Sequence, residues 1–453
     1  MPVEITKQYI EDIQQLIADK NNDSLLVLLK EVHYADIAEV VEELYIEESV
    51  YLIRLLESDV TSEVIAELDE NVREKILREL SSKEIAEEID ELDTDDAADI
   101  ISELSENQKE EVISHLEDIQ HAKEIVELLR YDEDTAGGLM AKELVKVNEN
   151  WNVLTCVKEM RSQAEEVTRV HSIYVVDDNN KLKGRLSLKD LLTTSTKTAI
   201  KDVLIKKVTS VNVHEKAEDV ARIMQKYDLE AIAVVDEIGH LVGRITIDDI
   251  VDVIKEEAEK DYQMAAGLVD DVEADDTIWE LTRARLPWLV LGLFGGLGSV
   301  FIMEGYEDIM SDSRYGKLFF FTPLIAAMAG NVGVQSSAII VQGLANDIIK
   351  GSLLSRLLKE VSLSLISGTV LGLLIMLFGV IMPSMMDTLL SFTVAISMLC
   401  VIIVAALIGT FVPIILDKRG IDPAIATGPF ITTSNDIFGI FLFFYIAKLI
   451  LGF

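Results

Sequence analysis

Five apolar stretches follow Pro287, and each is long enough to cross a lipid bilayer. They run roughly over residues 287–303, 318–345, 361–386, 389–416 and 424–451. A helix needs about 20 mainly apolar residues to span the hydrocarbon core, where its backbone polar groups must be satisfied internally. The shortest stretch follows Arg283 and Arg285 and contains Trp288, which are residue types that favour the membrane interface. The sequence therefore predicts a membrane half with five transmembrane helices.

The charged residues divide the chain into two parts of different character. The whole sequence has 40 basic and 79 acidic side chains and a formal net charge of −39, whereas residues 283–453 contain ten of each sign. The acidic excess therefore lies entirely within residues 1–282. Because nucleic-acid binding requires a basic face that neutralises phosphates, this distribution excludes a nucleic-acid-binding protein.

Basic residues between the apolar stretches predict the orientation in the membrane. Lys350, Arg356 and Lys359 separate the second stretch from the third, and Lys418 and Arg419 separate the fourth from the fifth. Loops rich in Lys and Arg remain on the cytoplasmic side. We therefore expect the N-terminal part inside the cell and the C-terminus outside. Residues 1–20 are polar and acidic, which predicts that no cleavable signal precedes the soluble part.

Two of the apolar stretches contain polar residues for which a simple membrane anchor has no use. Thr432 and Asp436 lie in the fifth stretch, and Gly330, Asn331 and Gly333 lie in the second. An ionisable group at that depth usually faces water or a partner. One acid with neutral oxygen donors, and without His or Cys, predicts a path for a hard cation that keeps part of its water shell. The alternatives are a carboxylate bonded to a neighbouring helix and a glycine motif that only packs helices.

An internal repeat precedes the membrane half. Residues 184–190 are Gly-Arg-Leu-Ser-Leu-Lys-Asp, and residues 243–249 are Gly-Arg-Ile-Thr-Ile-Asp-Asp. Each copy follows a short strand-like run and leads into an apolar helix, so a repeat of about 59 residues predicts two α/β modules. The pattern resembles a pair of cystathionine-β-synthase (CBS) domains. That resemblance implies nucleotide contacts for Lys189, Asp190 and Asp249, whereas the alternative is that each aspartate only caps the following helix.

Residues 1–131 predict an acidic, all-helical domain. The run Val-Ile-Ala-Glu-Leu at 64–68 returns as Ile-Ile-Ser-Glu-Leu at 100–104. A repeat of about 36 residues without strand candidates is typical of stacked helix pairs that form a short superhelix. Most of the acids should form a solvated face. The densest group of acids comprises Asp95, Asp96 and Asp99.

An acidic segment connects the CBS-like pair to the membrane half, and we expect it to be one long helix. Its acids include Asp249, Asp252, Glu256, Glu257 and Asp261. The first three share one helical face. Because so many like charges repel at neutral pH unless a cation lies among them, this segment predicts a cation-sensitive element beside the conducting part.

The order of these parts resembles the MgtE family of magnesium channels over the whole chain. The resemblance implies a multidomain α plus α/β membrane protein. Its parts would be an α-helical superhelix N-domain (1–131), tandem CBS domains (132–252, with copies at 138–196 and 200–252), a connecting or plug helix (253–282) and a five-helix transmembrane pore domain (283–453).

The same resemblance implies a role for each candidate residue. In a homodimer, Asp436 would hold hydrated Mg²⁺ with Thr432 nearby, in a pore narrowed by Gly330, Asn331 and Gly333. Cytosolic Mg²⁺ would close the pore by bridging the acids of the N-domain, the CBS pair and the connecting helix. Those acids are Asp95, Asp96, Asp99, Asp249, Asp252, Glu256, Glu257 and Asp261, with Asp422 at the cytoplasmic mouth. Lys260 stands where a further acid would be natural, and ATP is a candidate ligand of the CBS pair.

These observations predict a magnesium uptake channel of a bacterial cell membrane. No nucleophile–base pair and no histidine metal motif surrounds the six histidines, so we do not expect an enzyme. One alternative is a transporter of Co²⁺ or Ni²⁺, although these ions usually attract His or Cys. Another alternative is a membrane-anchored CBS sensor that reads a nucleotide and conducts nothing.

Overall fold

The chain forms two compact units, Met1–Lys255 and Glu256–Phe453. The computed structural model describes residues 4–164, 167, 169–269, 272, 274, 276–307, 315–345, 349, 352–426 and 428–452. Each unit has its own hydrophobic core. The first unit combines α-helices with small sheets, and the second is helical, which confirms the predicted fold class.

The first unit begins with ten short α-helices in its described residues, which confirms the predicted all-helical domain. They are α1 (Lys7–Ala18), α2 (Asn22–Leu29), α3 (Tyr34–Glu42), α4 (Ile46–Ile53), α5 (Ser58–Glu67), α6 (Glu70–Glu79), α7 (Ser82–Ile89), α8 (Thr94–Ser102), α9 (Glu106–His115) and α10 (Ile119–Leu128). Helix α7 shows why these segments are helical. A capping box between Ser81 and Glu84 starts it, and Ile85 and Ile89 form its buried face.

A salt bridge between Arg73 and Glu103 connects successive helix pairs of this domain. The Arg73 Nε donates to Glu103 at 2.9 Å, and its Nη1 donates to the carbonyl oxygens of Ala66 and Leu68 at 3.0 and 3.1 Å. The two charged side chains are only 14% and 11% exposed. Burial of the guanidinium is tolerated because the carboxylate and the two carbonyls satisfy its donors.

Two small mixed sheets form the predicted α/β repeat. The first contains β1 (Val145–Asn148), β2 (Ile173–Val176) and β3 (Leu182–Leu186), and the second contains β4 (Ser210–Asn212), β5 (Ala231–Val235) and β6 (Leu241–Thr246). In each sheet the first strand runs parallel to the second, and the second runs antiparallel to the third. The associated helices are α11 (Val153–Gln163), α12 (Leu188–Thr193) and α13 (Ala217–Tyr227).

The helical domain shares its core with the second sheet. Ile101 of α8 and Ile245 of β6 belong to one cluster of buried residues, whereas the first sheet has a separate core around Val147 and Val175. The backbone N–H of Lys142 donates to the hydroxyl of Thr94 at 2.8 Å. This packing brings α8 next to the second CBS-like repeat.

The connecting segment contains a break that the sequence did not predict. Helix α14 (Ile247–Ala266) starts in the second repeat and continues into the second unit. It ends at Ala266. The next residue, Gly267, has a φ of 86°, which lies in the left-handed region that favours glycine. A new helix then starts at Ile278 with Thr277 as its N-cap. The expected connecting helix at 253–282 is therefore divided between two helices.

The second unit contains five described helices that are long and apolar enough to cross a membrane, which confirms the predicted number. They are α15 (Ile278–Glu304), α16 (Thr322–Ala345), α17 (Leu353–Ile381), α18 (Thr388–Asp417) and α19 (Gly428–Leu451). Helix α15 begins earlier than expected, because the capping box of Thr277 and Glu280 starts it at Ile278 and Pro287 then lies inside the helix. Helix α16 packs against α18 and α19, and α17 packs against α18.

Candidate ion path and regulatory site

Helices α16 and α19 line a groove in the second unit. Its volume is about 370 Å³, and its lining residues are Ala326, Ala327, Gly330, Asn331, Val334, Gln335, Thr432 and Asp436. Four of the five residues predicted for the pore therefore lie along one groove. Gln335 adds a second amide, one helical turn from Asn331.

Asp436 is the only acid of α16 and α19, and it lies close to the α16 backbone. A Cβ atom built at Gly330 would lie 3.5 Å from Asp436 Oδ1 and 3.1 Å from Thr432 Cγ2. The hydroxyl of Thr432 donates to the Gly428 carbonyl at 2.8 Å. The groove thus combines one carboxylate with the amides of Asn331 and Gln335. Such oxygen donors suit a hard divalent cation that is bound partly through its waters.

Gly333, the fifth predicted pore residue, does not line the groove. A Cβ atom built at Gly333 would overlap the side-chain amide of Asn435 and would lie 2.8 Å from Ile431 Cγ2. In this structure the glycine makes room for α19. The arrangement corresponds to the helix-packing alternative for this position.

Glu360 is a polar membrane residue that the sequence interpretation missed. It lies inside α17, and its Oε1 accepts a hydrogen bond from the Ser336 hydroxyl at 2.6 Å. The sequence predicts that the third span starts at 361, which assigns Glu360 to the preceding loop. The leucines that begin at Leu353 were the available signal, because they recur at helical spacing.

In the first unit, α8 holds the densest group of acids against the second CBS-like repeat. Asp95, Asp96 and Asp99 lie on α8, and the negative charge of Asp249 acts on all three. Asp96 and Asp99 keep exposed surface, but desolvation by the surrounding protein atoms and then the neighbouring carboxylates raise the pKa of both to about 7. The same causes raise the pKa of Asp95. Carboxylates held together in this way repel when ionised, and a divalent cation would relieve the repulsion.

Asp95 of this group and two further carboxylates, those of Asp93 and Glu143, have the spacing of a metal site. Oxygen atoms of Asp93, Asp95 and Glu143 lie within 4.8 Å of one another. The Thr94 hydroxyl donates to Glu143 Oε2 at 2.8 Å, and Arg244 Nη2 lies 3.5 Å from Asp93 Oδ2. Carboxylate oxygens are suitable ligands for Mg²⁺. The sequence interpretation missed Glu143 because nothing in a linear pattern brings it to α8.

Asp249 and Asp252 extend the acidic region along α14. Asp249 Oδ2 accepts hydrogen bonds from the backbone N–H and the hydroxyl of Thr246, at 3.0 and 2.7 Å. Burial raises the pKa of Asp252, and burial and then the negative charge of Asp252 raise the pKa of Glu67 in the helical domain. The structure therefore brings predicted acids of the helical domain and of the CBS-like pair together.

The two aspartates at the ends of the repeated motif differ in their contacts. Asp249 caps the first turn of α14, as the capping alternative proposed. Asp190 occupies the equivalent place in α12, but its carboxylate accepts no hydrogen bond within the described residues. Lys189 beside it is exposed. The first copy therefore leaves its aspartate carboxylate without a hydrogen bond, whereas in the second copy Asp249 Oδ2 is engaged in the cap.

The remaining predicted acids lie in the second unit and form no common site with one another in the described residues. Glu256, Glu257 and Asp261 lie along α14, where Glu257 pairs with Lys260 at 3.3 Å. Asp422 is exposed, and its Oδ1 accepts the backbone N–H of Ala424 at 2.7 Å.

The end of α14 packs against the start of α19. A Cβ atom built at Gly267 would lie 2.9 Å from Pro429 Cδ, and one built at Gly428 would overlap the backbone of Ala265. The φ of 46° at Gly428 lies in the left-handed region. The connecting helix therefore contacts the helix that carries Asp436.

Models of three protein families match consecutive parts of the chain. The MgtE intracellular N domain matches residues 32–134, the CBS domain matches 136–196 and 200–256, and the divalent cation transporter family MgtE matches 322–446. These matches follow the order of the helical domain, the two sheets and the membrane helices.

Relatives and solved structures agree with these matches. The chain is 40% identical over 324 residues to the magnesium transporter MgtE of Enterococcus faecalis, which covers 71% of this chain and 70% of the relative. It is 36% identical over 321 residues to the magnesium transporter MgtE of Bacillus subtilis, with the same coverage of 71% and 70%.

Two crystal structures resemble the first part of the chain. One is the soluble part of a magnesium transporter, at 30% identity and a TM-score of 0.50, covering 55% of this chain and 98% of that chain. The other is the cytosolic domain of the Mg²⁺ channel MgtE in complex with ATP, at 32% identity and a TM-score of 0.51, covering 54% and 99%. Together with the membrane groove and the acidic region, these findings show that the chain belongs to the MgtE family of magnesium transporters.

Proposed function

We propose that this protein is a magnesium uptake channel of a bacterial cell membrane, which closes when cytosolic Mg²⁺ binds between its acidic cytoplasmic domains. The groove on α16 and α19 carries this proposal, because Asp436 shares it with Asn331 and Gln335. The family membership supports magnesium as the ion. The activity is transport rather than catalysis.

The chemistry of the groove favours hydrated Mg²⁺ over softer divalent ions. Mg²⁺ loses its water reluctantly, so a site that binds the waters through a carboxylate and amides can select it. Co²⁺ and Ni²⁺ are more often held by His or Cys, and the lining of this groove contains neither. The alternative of a transporter for these ions is therefore less well supported.

The membrane potential can drive the uptake. With the N-terminal part in the cytoplasm, the free energy of a divalent ion falls by about 4.6 kcal/mol on entry for each 100 mV of inside-negative potential. This is twice the value for a single charge. No nucleotide hydrolysis is then needed for transport.

A flux assay in liposomes tests the proposed function. Purified protein is reconstituted with a Mg²⁺-sensitive dye inside, and a potassium gradient with an ionophore makes the interior negative. We expect Mg²⁺ entry that exceeds entry of Co²⁺ and Ni²⁺ and that is absent from protein-free liposomes. A folded protein that admits no Mg²⁺ would contradict the proposal and would favour the non-conducting sensor.

The contacts of α14 support a route from the acidic region to the pore. Asp249 at its start lies among the acids of α8, and Gly267 just beyond its end contacts Pro429 at the start of α19. We infer that Mg²⁺ stabilises the arrangement in which α8 and α14 approach each other. A ligand shifts such an equilibrium because it binds one arrangement better than the other. Without the ion, repulsion would free α14 and open the pore.

The free carboxylate of Asp190 supports an ATP site in the first CBS-like repeat. A structural relative of this part of the chain was crystallised with ATP. The carboxylate of Asp190 accepts no hydrogen bond within the described residues, and Lys189 beside it can attract the phosphates. The equivalent Asp249 already caps α14.

Asp190→Ala should therefore weaken ATP binding at least tenfold, because a charged hydrogen bond of about 1.5–3 kcal/mol to the ribose would be lost. Calorimetric titration of the purified protein measures the affinity. Asp202→Ala is the control, since Asp202 is an exposed acid just beyond the end of the first repeat. Equal affinities for wild type and Asp190→Ala would show that Asp190 is not a ligand.

Two apolar stripes support a homodimer. They lie on α12 and on the first turns of α14, which occupy equivalent places in the two repeats. Their residues, between 38% and 79% exposed, are Leu188, Leu192, Ile247, Val251 and Ile254. Apolar stripes of this kind on a cytoplasmic domain are typical of subunit interfaces. A detergent-solubilised particle with the mass of one chain would contradict the dimer.

A further inference from the structure

Asn435 is a buried amide in α19 that forms no hydrogen bond within the described part of the chain. The residue is 1% exposed, and neither its Nδ2 nor its Oδ1 has a protein partner. An amide without a partner destabilises an apolar interior. An unpaired group of this kind in a native structure calls for an explanation, such as a use in another arrangement of its neighbours.

The amide contacts the backbone of α16 at Gly333. A Cβ atom built there would overlap Asn435 Nδ2 and would lie 3.0 Å from Asn435 Cγ. Helix α18 also approaches this point, because a Cβ atom built at Gly409 would lie 3.2 Å from the carbonyl carbon of Gly333. No side chain therefore separates the α16 backbone at Gly333 from the Asn435 amide.

Helix α16 is intrinsically weak at this point. Gly330 and Gly333 both favour the helix less than alanine would, and they flank Asn331 of the groove. A local opening between the two glycines would widen the groove beside Asp436. Within a membrane, however, the released N–H and C=O groups need new partners. A side-chain amide offers both donors and an acceptor.

We propose that Asn435 is a positioning residue for ion passage. When α16 opens between Gly330 and Gly333 to admit the hydrated ion, the Asn435 amide accepts and donates the backbone hydrogen bonds that the helix releases. Asp436 binds the ion, whereas Asn435 lies outside the groove and acts only on α16. This inference rests on the proposed function and adds to it a local opening of helix α16.

Asn435→Leu tests the proposal, because leucine branches at the same atom and removes every donor and acceptor. In the liposome assay, the maximal Mg²⁺ flux should fall at least tenfold. The Mg²⁺ concentration that gives half-maximal flux should stay unchanged, because Asp436 and the groove amides remain. The melting temperature in detergent should be equal or higher, since an unpaired buried amide has been replaced by an apolar group. Asn435→Ser keeps a donor and an acceptor and should conduct faster than Asn435→Leu.

Three results would overturn the proposal. Wild-type maximal flux in Asn435→Leu would show that the amide only fills space or binds a water molecule. A lower melting temperature together with lost flux would show a purely structural role. A serine variant that conducts no faster than the leucine variant would show that hydrogen bonding is irrelevant.

A second pair of variants decides the question if Asn435→Leu does not assemble. Asn435→Ala removes the amide that a methyl group at Gly333 would overlap. Gly333→Ala added to it stiffens α16, and of the three nearest atoms only Ile431 Cγ2, at 2.8 Å, must then shift. The double variant should conduct at least threefold more slowly than Asn435→Ala, and equal fluxes would overturn the proposal. Wild-type protein without Mg²⁺ flux would instead contradict the proposed function itself.

Discussion

Replacement of Asp436 by alanine is expected to reduce Mg²⁺ flux at least 100-fold. Asp436 is the only acid of α16 and α19, and it lies in the groove with Asn331 and Gln335. A carboxylate near a divalent ion contributes about 3 kcal/mol at an effective dielectric between those of protein and water. A loss of that size corresponds to more than 100-fold in ion occupancy. The liposome assay measures it directly.

An asparagine at position 436 separates the effect of the negative charge on flux from the effect of the side-chain shape. Asp436→Asn keeps the shape, and we expect it to lose flux or to lose the preference for Mg²⁺. Asp387→Asn is the matched control, because Asp387 caps α18 through Leu390 N–H and asparagine can cap equally well. Wild-type flux in a normally expressed Asp436→Ala protein would contradict the assignment of the groove as the ion path.

Neutralisation of Asp95, Asp96 and Asp99 together is expected to leave a channel that stays open at millimolar cytosolic Mg²⁺. These acids lie on α8 among the charges of Asp249 and their neighbours. Their loss would remove the carboxylates that we propose bind Mg²⁺ between α8 and α14. In wild type, Mg²⁺ on the cytoplasmic side should suppress the flux. In the triple asparagine variant, that suppression should be lost or shifted at least tenfold to higher Mg²⁺.

The outcomes of this experiment separate two mechanisms. A variant that is permanently closed would show that relief of repulsion alone closes the pore, without a bridging ion. Unchanged inhibition would place the sensor elsewhere. The control changes Asp19, Asp23 and Glu31 to their amides, which removes the same formal charge from three exposed positions in α2 and just after α1 and α2.

The raised pKa values add a dependence on pH that can be measured without Mg²⁺. Because the pKa of Asp96 and Asp99 is raised to about 7, the docked arrangement holds protons that separated aspartates release near pH 4. Docking of α8 is therefore favoured at low pH and is lost as the pH rises through about 7. Limited proteolysis in a chelator should accordingly be slower at pH 6 than at pH 8.

The position of Asp436 was evident from the sequence, whereas the role of Gly333 was not. A lone acid in an apolar stretch is visible without coordinates, because burial of a charge in a membrane is unfavourable unless the charge has a function. Which side of α16 faces the groove depends on how that helix is rotated against α18 and α19. The structure turns Gly330 and Asn331 to the groove and Gly333 to Asn435.

The acidic region also shows that a sequence pattern does not reveal contacts between distant segments. The group at Asp95–Asp99 stood out by its density, but Glu143 did not, because its approach to Asp93 requires the segment after α10 to pack on α8. The motif ending in Asp190 and Asp249 predicted equivalent roles for the two aspartates. Only the contacts distinguish the cap at Asp249 from the free carboxylate at Asp190.

The sequence by itself determined the five membrane helices, the α/β repeat, the helical domain and the acid Asp436 in the fifth apolar stretch, because hydrophobic periodicity and charge along the chain carry that information. The tertiary structure alone decided the break at Gly267, the hydrogen bond from Ser336 to Glu360, and the meeting of Asp93 with Glu143. The reason is physical. Helix rotation and the contacts between distant segments depend on how whole faces pack, and no local pattern specifies which two faces will meet.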